Sequence, residues 1–360
     1  MKASALSAAL LCFSSLSYAS TPTPPHQCNL PNFDNGNKLI ELNSECIYSD
    51  TINITQSNLT VDCNGAVLNG QHRLKSGIVI NGKGEKISNI TIKNCTLINY
   101  KHHALIITSG TTPKKLSYDA KRLHSIAPSN IKLNKLNIYN SGAGGVYFFA
   151  YVHNSSLTNS KISSSREAGV YLSQNTNNIE ISGNIIAHNG YVSKKANRRE
   201  GIAIDTSHNN KIHNNLFLEN GAGGIFLYTR CGKVPNPESF SPSNYNIIYN
   251  NVFRNEPIGV WLASRQSRDL SSFKCSGTPL DESKRFFRDY ADHNTIKNNQ
   301  FCDGKLAVRI EGDDNTITEN SYNSSHTAFS SEPYADKTKH DGLRSNGNVI
   351  SNNKMTECVK

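Results

Sequence analysis

The run Lys211-Ile212-His213-Asn214-Asn215-Leu216-Phe217-Leu218-Glu219-Asn220, followed by Gly224-Ile225-Phe226-Leu227, decides how this chain is read. The same phrase returns as Ile248-Tyr249-Asn250-Asn251-Val252-Phe253, leading to Leu262, and as Ile296-Lys297-Asn298-Asn299-Gln300-Phe301, leading to Ile310. Another clear copy spans 179–204. Weaker ones occupy 59–83, 88–108, 129–150 and 154–174, and fragments persist at 314–322 and 347–355. The interval is about two dozen residues, since Gly145 to Gly169 is 24 and Gly201 to Gly224 is 23.

Each copy holds short alternating apolar segments of the Gly-Ile-x-Leu kind, which read as strands. Between them stand Asn and Gly, which accept the left-handed backbone of tight turns. No copy can bury its own apolar residues, whereas stacked copies make every Ile, Leu and Phe column continuous and let equivalent Asn form ladders. The pattern predicts an all-β, single-stranded parallel β-helix, a solenoid with loop insertions at 110–128, 191–200, 229–243 and 264–291. Helical heptads and βαβ alternation are missing, which argues against leucine-rich and Rossmann-like folds. A propeller needs blades of about 40 residues with antiparallel hairpins.

The first residues address the compartment. Met1-Lys2 is a short positive start, an apolar run covers 3–13, and Ser17-Tyr18-Ala19 supplies small residues for cleavage after Ala19. The run is too short to span a bilayer, and Leu11 before Cys12 does not suit a lipoprotein site. The expectation is a periplasmic or secreted protein divided into a signal peptide (1–19), an N-terminal cap and first coil (20–58), a β-helix (59–322) and a C-terminal coil or cap (323–360). Nine Cys less Cys12 leaves eight, an even number in an oxidising compartment, so disulfides are expected, with Cys63 to Cys95 and Cys231 to Cys275 as candidate pairs. No Cys-x-x-Cys occurs, which disfavours zinc. Removing Lys2 leaves 37 Lys and Arg against 28 Asp and Glu, or +9. The partner that this charge and compartment suggest is an anionic polysaccharide rather than nucleic acid, met by a monomer without membrane insertion.

Over roughly 59–322 these Asn-rich copies resemble the right-handed parallel β-helix superfamily of carbohydrate-binding and sugar-hydrolysing repeats, with its polysaccharide lyases, mannuronan epimerases and NosD-like periplasmic proteins. The resemblance implies right-handed winding and a carbohydrate ligand. The Asp-Pro-His-Asp signature of mannuronan epimerases and the Arg-x-Pro-x-x-Arg of pectate lyases are absent.

In each Gly-Ile-x-Leu strand the Ile and Leu point inward and the alternate residues outward. Reading one position per coil gives an outward column of Ile106, Tyr147, Tyr171, Ala203, Phe226, Trp261 and Arg309, and a second that includes Phe149, Asp205, Tyr228 and Glu311. Tyr147, Tyr171, Phe226, Trp261, Arg309 and Glu311 are the expected substrate-binding residues, because sugar rings stack on aromatic faces. An insertion covering the row is the alternative. Around the gap at Ala203 lie the expected catalytic residues: Asp205, His208, Tyr228, Arg230 and Arg265. Arg230 or Arg265 would neutralise a uronate carboxylate, Tyr228 and His208 would move protons, and Asp205 would orient one of them. The tract Arg198-Arg199-Glu200 lies on the opposite insertion and could reach the same groove, although a solvated charge run is the commoner outcome.

The leading function is therefore a lyase or C5 epimerase on an anionic, uronate polysaccharide, with hydrolysis next. Asp205 and Glu311 stand three coil steps apart, some 14 Å at roughly 4.8 Å per step, too far for a usual hydrolytic pair. The alternative from another class is a non-catalytic NosD-like protein that binds glycan or assists periplasmic assembly. No cofactor is required, although Glu311, Asp313 and Asp314 could offer oxygens to a calcium ion.

Overall fold

A coil that places apolar side chains at every second position and then breaks at Asn can be satisfied only by lying on a copy of itself. The computed structural model describes residues 26–33, 36–191, 198–229, 242–262, 269–271, 279, 281–287, 291–323, 334–336 and 345–358. Among them the strands form three sheets of 12, 11 and 10 members, and beyond the first turn each strand is flanked by the third strand before it and the third after it. Every pairing between neighbouring strands is parallel, as between Leu216–Leu218 and Val252–Arg254. One strand per sheet per turn is a parallel β-helix, as predicted. The strands His26–Cys28, Leu39–Glu41 and Cys46–Tyr48 already belong to these sheets, so stacking begins well before residue 59. The expected signal peptide lies outside the described residues, among which no helix is long and apolar enough to cross a membrane.

The repeats superpose in the register that the sequence phrase suggests. Ile181, Ile212, Ile248, Ile296 and Ile317 are successive partners in the eleven-stranded sheet, all fully buried. Phe217, Phe253 and Phe301 do the same in the twelve-stranded sheet, with ring centroids 4.7 and 4.8 Å apart and nearly parallel planes. One continuous apolar core runs up the axis from Ile40 to Tyr322.

The Asn-Asn doublets make the corner between these two sheets. Asn214, Asn250 and Asn298 take left-handed φ of 55°, 54° and 53°, which Asn tolerates better than most residues. That twist turns the next residue inward, and Asn184, Asn215, Asn251, Asn299, Asn320 and Asn353 form a ladder. In each step the Oδ1 of one Asn accepts both the backbone N–H and the Nδ2–H of the Asn one coil earlier, at 2.9–3.0 Å. The amides of the ladder thereby satisfy one another, as a buried corner requires.

A shorter ladder, Asn189 to Asn220, ends differently. Asn220 donates from Nδ2 to Glu256 at 2.7 Å and from its backbone N–H at 3.2 Å, so a carboxyl stands where an amide would continue the series. Glu256 is 2% exposed, and burial pushes its pKa up to about 8. The folded value exceeds the ordinary one near 4.5, so the native state holds a proton that the unfolded chain releases. The stability linked to this group is complete below that ordinary value and is lost as pH rises to about 8. Glu256→Gln keeps the acceptor and removes the titration, at about 1.4 kcal/mol for each unit of displacement. Urea unfolding should find the variant more stable than wild type near pH 9, with the gap closing towards pH 5. A gap that does not change with pH would refute the assignment.

Disulfides join Cys28 to Cys46, Cys63 to Cys95 and Cys302 to Cys358. The Cys63 to Cys95 pair is as expected, while Cys231 and Cys275 lie outside the described residues. His26, Cys28 and Cys46 form the one metal-like grouping among the described residues, and its two sulfurs are spent on each other. The long connections all adjoin the ten-stranded sheet: 109–128 follows Leu105–Thr108, 229–246 follows Gly223–Tyr228, 263–294 follows Ile258–Leu262, and 188–199 precedes Glu200–Asp205. In the first of these the helix Ala120–Ser125, capped by Asp119, lays Leu123 against Ala150 and Tyr151.

Candidate functional site

The ten-stranded sheet carries the expected columns on its outer wall. Strand pairing aligns Ile106, Tyr147, Tyr171, Ala203, Phe226, Trp261 and Arg309 as successive partners, and Asp205 with Tyr228. Their strand neighbours Val146, Val170, Ile202, Ile225 and Val260 belong to the axial core, whereas Tyr171, Ala203, Phe226, Tyr228 and Trp261 form a separate cluster outside it.

This wall is open at one end and closed in the middle. Tyr147 and Tyr171 are partly exposed and meet edge to face, with centroids 5.2 Å apart. Ala203 and Phe226 are buried, and so are Asp205, Tyr228 and Glu311 at 2–3% exposure. Ala203 leaves the room into which larger neighbours close. Beyond it Trp261 stands edge-on to Phe226, and the Arg309 guanidinium lies 3.9 Å over the indole while pairing with Glu311. The gap expected at Ala203 is there, and Phe226 beyond it is buried rather than open to a ligand.

The polar centre lies at the boundary. Tyr171 donates its hydroxyl to Asp205 Oδ2 at 2.5 Å, and Thr206 donates to the other carboxylate oxygen at 2.9 Å. Tyr228 donates to Glu200 at 2.9 Å, while Arg199 donates to the Tyr228 oxygen at 3.0 Å and to Glu200 at 3.3 Å. Glu200 first, then Tyr228, Tyr171 and Glu167, hold the Arg199 guanidinium charged and raise its pKa further. Two buried carboxylates, two phenols and one fixed cation thus share one stretch of wall, an arrangement suited to moving protons next to an anion.

Several expected members are elsewhere. His208 sits past the strand end, where its ring contacts Asn209 and its backbone N–H bonds Thr176, away from Asp205 and Tyr228. Burial lowers its pKa. The cause of its displacement is local, because Thr206 and Asn209 both take φ of 56° and turn the chain towards the next sheet. Arg230 and Arg265 lie outside the described residues. Arg199 and Glu200 do reach the wall, as one reading of their tract allows, but their pairing with Tyr228 is not legible in sequence, since a charged run carries no mark of a partner from the next coil. Of the three calcium candidates, Glu311 pairs with Arg309, Asp313 accepts the Asn346 N–H at 2.9 Å, and Asp314 lies 4.0 Å from His293.

Residues 76–267 match the family described as the right-handed β-helix region, more than half of the chain. The chain belongs to that family. Among solved structures, the β-helix is similar to DFA-IIIase from Arthrobacter chlorophenolicus, without its lid and in complex with GF2, at 12% identity over 89% of this chain and 79% of that one, TM-score 0.51. It is similar to a tailspike of E. coli bacteriophage HK620 in complex with a hexasaccharide, at 12% identity over 87% and 53%, TM-score 0.51. It is similar also to alginate lyase AlyF-OU02, at 13% identity over 90% and 58%, TM-score 0.50. This chain thus spans little more than half the length of the last two, and at these identities the likeness concerns the fold. No curated protein sequence matches the β-helix.

Proposed function

We propose that this β-helix is a periplasmic or secreted carbohydrate-active protein that removes the C5 proton from a uronate polysaccharide, as a lyase or a C5 epimerase. The observation that carries the reading is the Arg199, Tyr228 and Glu200 network beside the Tyr171 to Asp205 hydrogen bond, at the edge of a partly exposed aromatic floor. The disulfides among the described residues suit an oxidising compartment. The net charge of +10 suits an acidic substrate. The similar folds include an alginate lyase, a saccharide-bound tailspike and DFA-IIIase.

In this reading Arg199 binds the sugar carboxylate and steadies the negative charge that develops beside it. Tyr171 accepts the C5 proton as it passes its own to Asp205. In elimination the electron pair left at C5 forms the C4–C5 double bond, the C4–O bond breaks, and Tyr228 protonates the leaving oxygen. In epimerisation the C4–O bond stays intact and Tyr228 delivers its own proton to C5 from the opposite face.

One observation favours a second reading, a non-catalytic glycan-binding β-helix: Asp205 and Tyr228 are only 2% and 3% exposed. Purified protein is incubated with alginate, pectate, hyaluronan and chondroitin. Rising ultraviolet absorbance from the unsaturated product supports the lyase, and C5 inversion with solvent deuterium uptake in NMR supports the epimerase. Retention of a glycan without either change favours the binding protein. Neither chemistry nor retention rejects a carbohydrate function altogether.

A further inference from the structure

His103 stands at the open end of the wall, on the coil before Tyr147, and no role in the reaction above requires it. Its imidazole lies flat against Tyr147, with centroids 4.7 Å apart and planes 9° from parallel. Tyr147 meets Tyr171 edge to face, and Tyr171 reaches Asp205. His103 thus extends the series of rings that ends at the polar centre, three coil steps or roughly 14 Å from it.

The ring is fixed in one tautomer. The backbone N–H of Gly144 donates to Nδ1 at 2.9 Å, so in the neutral ring the proton sits on Nε2. Gly144 permits the approach, because a Cβ there would lie 2.9 Å from both His103 Nδ1 and the Ala168 carbonyl oxygen. Burial, and next the charge of His102, push the pKa down to about 4, so the ring stays neutral at ordinary pH. Among the described residues Nε2 has no hydrogen-bond partner. A partly exposed ring, a fixed orientation and one unpartnered donor are together what a sugar subsite needs: a platform to stack on and a directional hydrogen bond.

We propose that His103 is a substrate-binding residue whose Nε2–H donates to an oxygen of a sugar unit bound beside Tyr147, away from the reacting unit. This rests on the reading of the wall as a saccharide site. Being neutral, the donor recognises an oxygen by position rather than by charge, and it acts on affinity without touching the reacting carbon.

The test uses the whole protein with size-defined hexamers of alginate and of pectate, in calorimetry and in NMR with 15N-labelled imidazoles. His103→Phe keeps the stack and removes the donor; His103→Gln can offer an acceptor to Gly144 and a donor outward. The Phe variant should bind the preferred hexamer about ten-fold more weakly, as expected for one lost directional bond. The Gln variant should recover most of that loss, and the His103 Nε2 resonance of wild type should shift on addition of hexamer. Equal binding by wild type and the Phe variant, with Nε2 unmoved, overturns the assignment while leaving the saccharide site standing. If wild type binds neither hexamer, both readings fall. Thermal unfolding of each variant within a few degrees of wild type separates lost binding from lost structure.

Discussion

Phe253→Ala should lower the free energy of unfolding by about 3–5 kcal/mol, the usual result of emptying an aromatic site in a packed core. Phe253 is 1% exposed and lies between Phe217 and Phe301, so its removal strips a ring face from each. Little can move in to fill the space. A Cβ on Gly224 would stand only 2.6 Å from two carbons of the Phe253 ring, which shows how closely the backbone already meets it. Phe253→Leu should cost much less, because most of the volume remains. Solenoids are stabilised by contacts between neighbouring coils, so the damage should also be local. Hydrogen exchange should quicken first in strands Leu216–Leu218, Val252–Arg254 and Gln300–Cys302, which carry this ring column, while the coils around Ile90 stay protected. Urea unfolding with the disulfides intact measures the total, and an Ala variant as stable as wild type would contradict the packing described here.

On the proposed chemistry, Tyr171→Phe and Asp205→Asn should each slow turnover of a uronate polysaccharide by about 10²–10⁴-fold, the range for a positioned acid or base. Both changes preserve shape, and the amide that replaces the Asp205 carboxylate would still offer Tyr171 an acceptor, so binding of the hexamers should change far less than turnover. The double variant should be little worse than either single one, because the two groups act on one proton. Arg199→Lys should act differently, raising KM through loss of the planar fork that grips a carboxylate. Initial rates by absorbance or NMR give these values. Wild-type turnover in Tyr171→Phe would remove Tyr171 and Asp205 from the chemistry.

Sequence exposes whatever repeats with the coil. The columns through Tyr147, Tyr171, Phe226 and Trp261 can be counted because Gly-Ile-x-Leu recurs in phase, and the ladder because Asn-Asn doublets mark the corner. Features that break phase stay hidden. Burial of Phe226 and Tyr228 depends on side chains from adjoining coils, Tyr171, Ala203 and Trp261 among them, rather than on the pattern of their own strand. Glu200 becomes a partner of Tyr228 only when residues 28 apart are stacked. His208 falls outside the site because two left-handed residues, Thr206 and Asn209, turn the chain away from the wall just after Asp205.

Because each long connection joins a strand of the ten-stranded sheet to a strand of a neighbouring sheet, the two ends it must bridge are set by the corner of the coil and not by its own length. Doubling such a connection costs only about 0.6 kcal/mol in closure entropy. The scaffold can therefore accept exchanged cassettes along the borders of that sheet while the ladders and ring stacks beneath stay intact. What lines the outer wall can then be altered one grafted segment at a time.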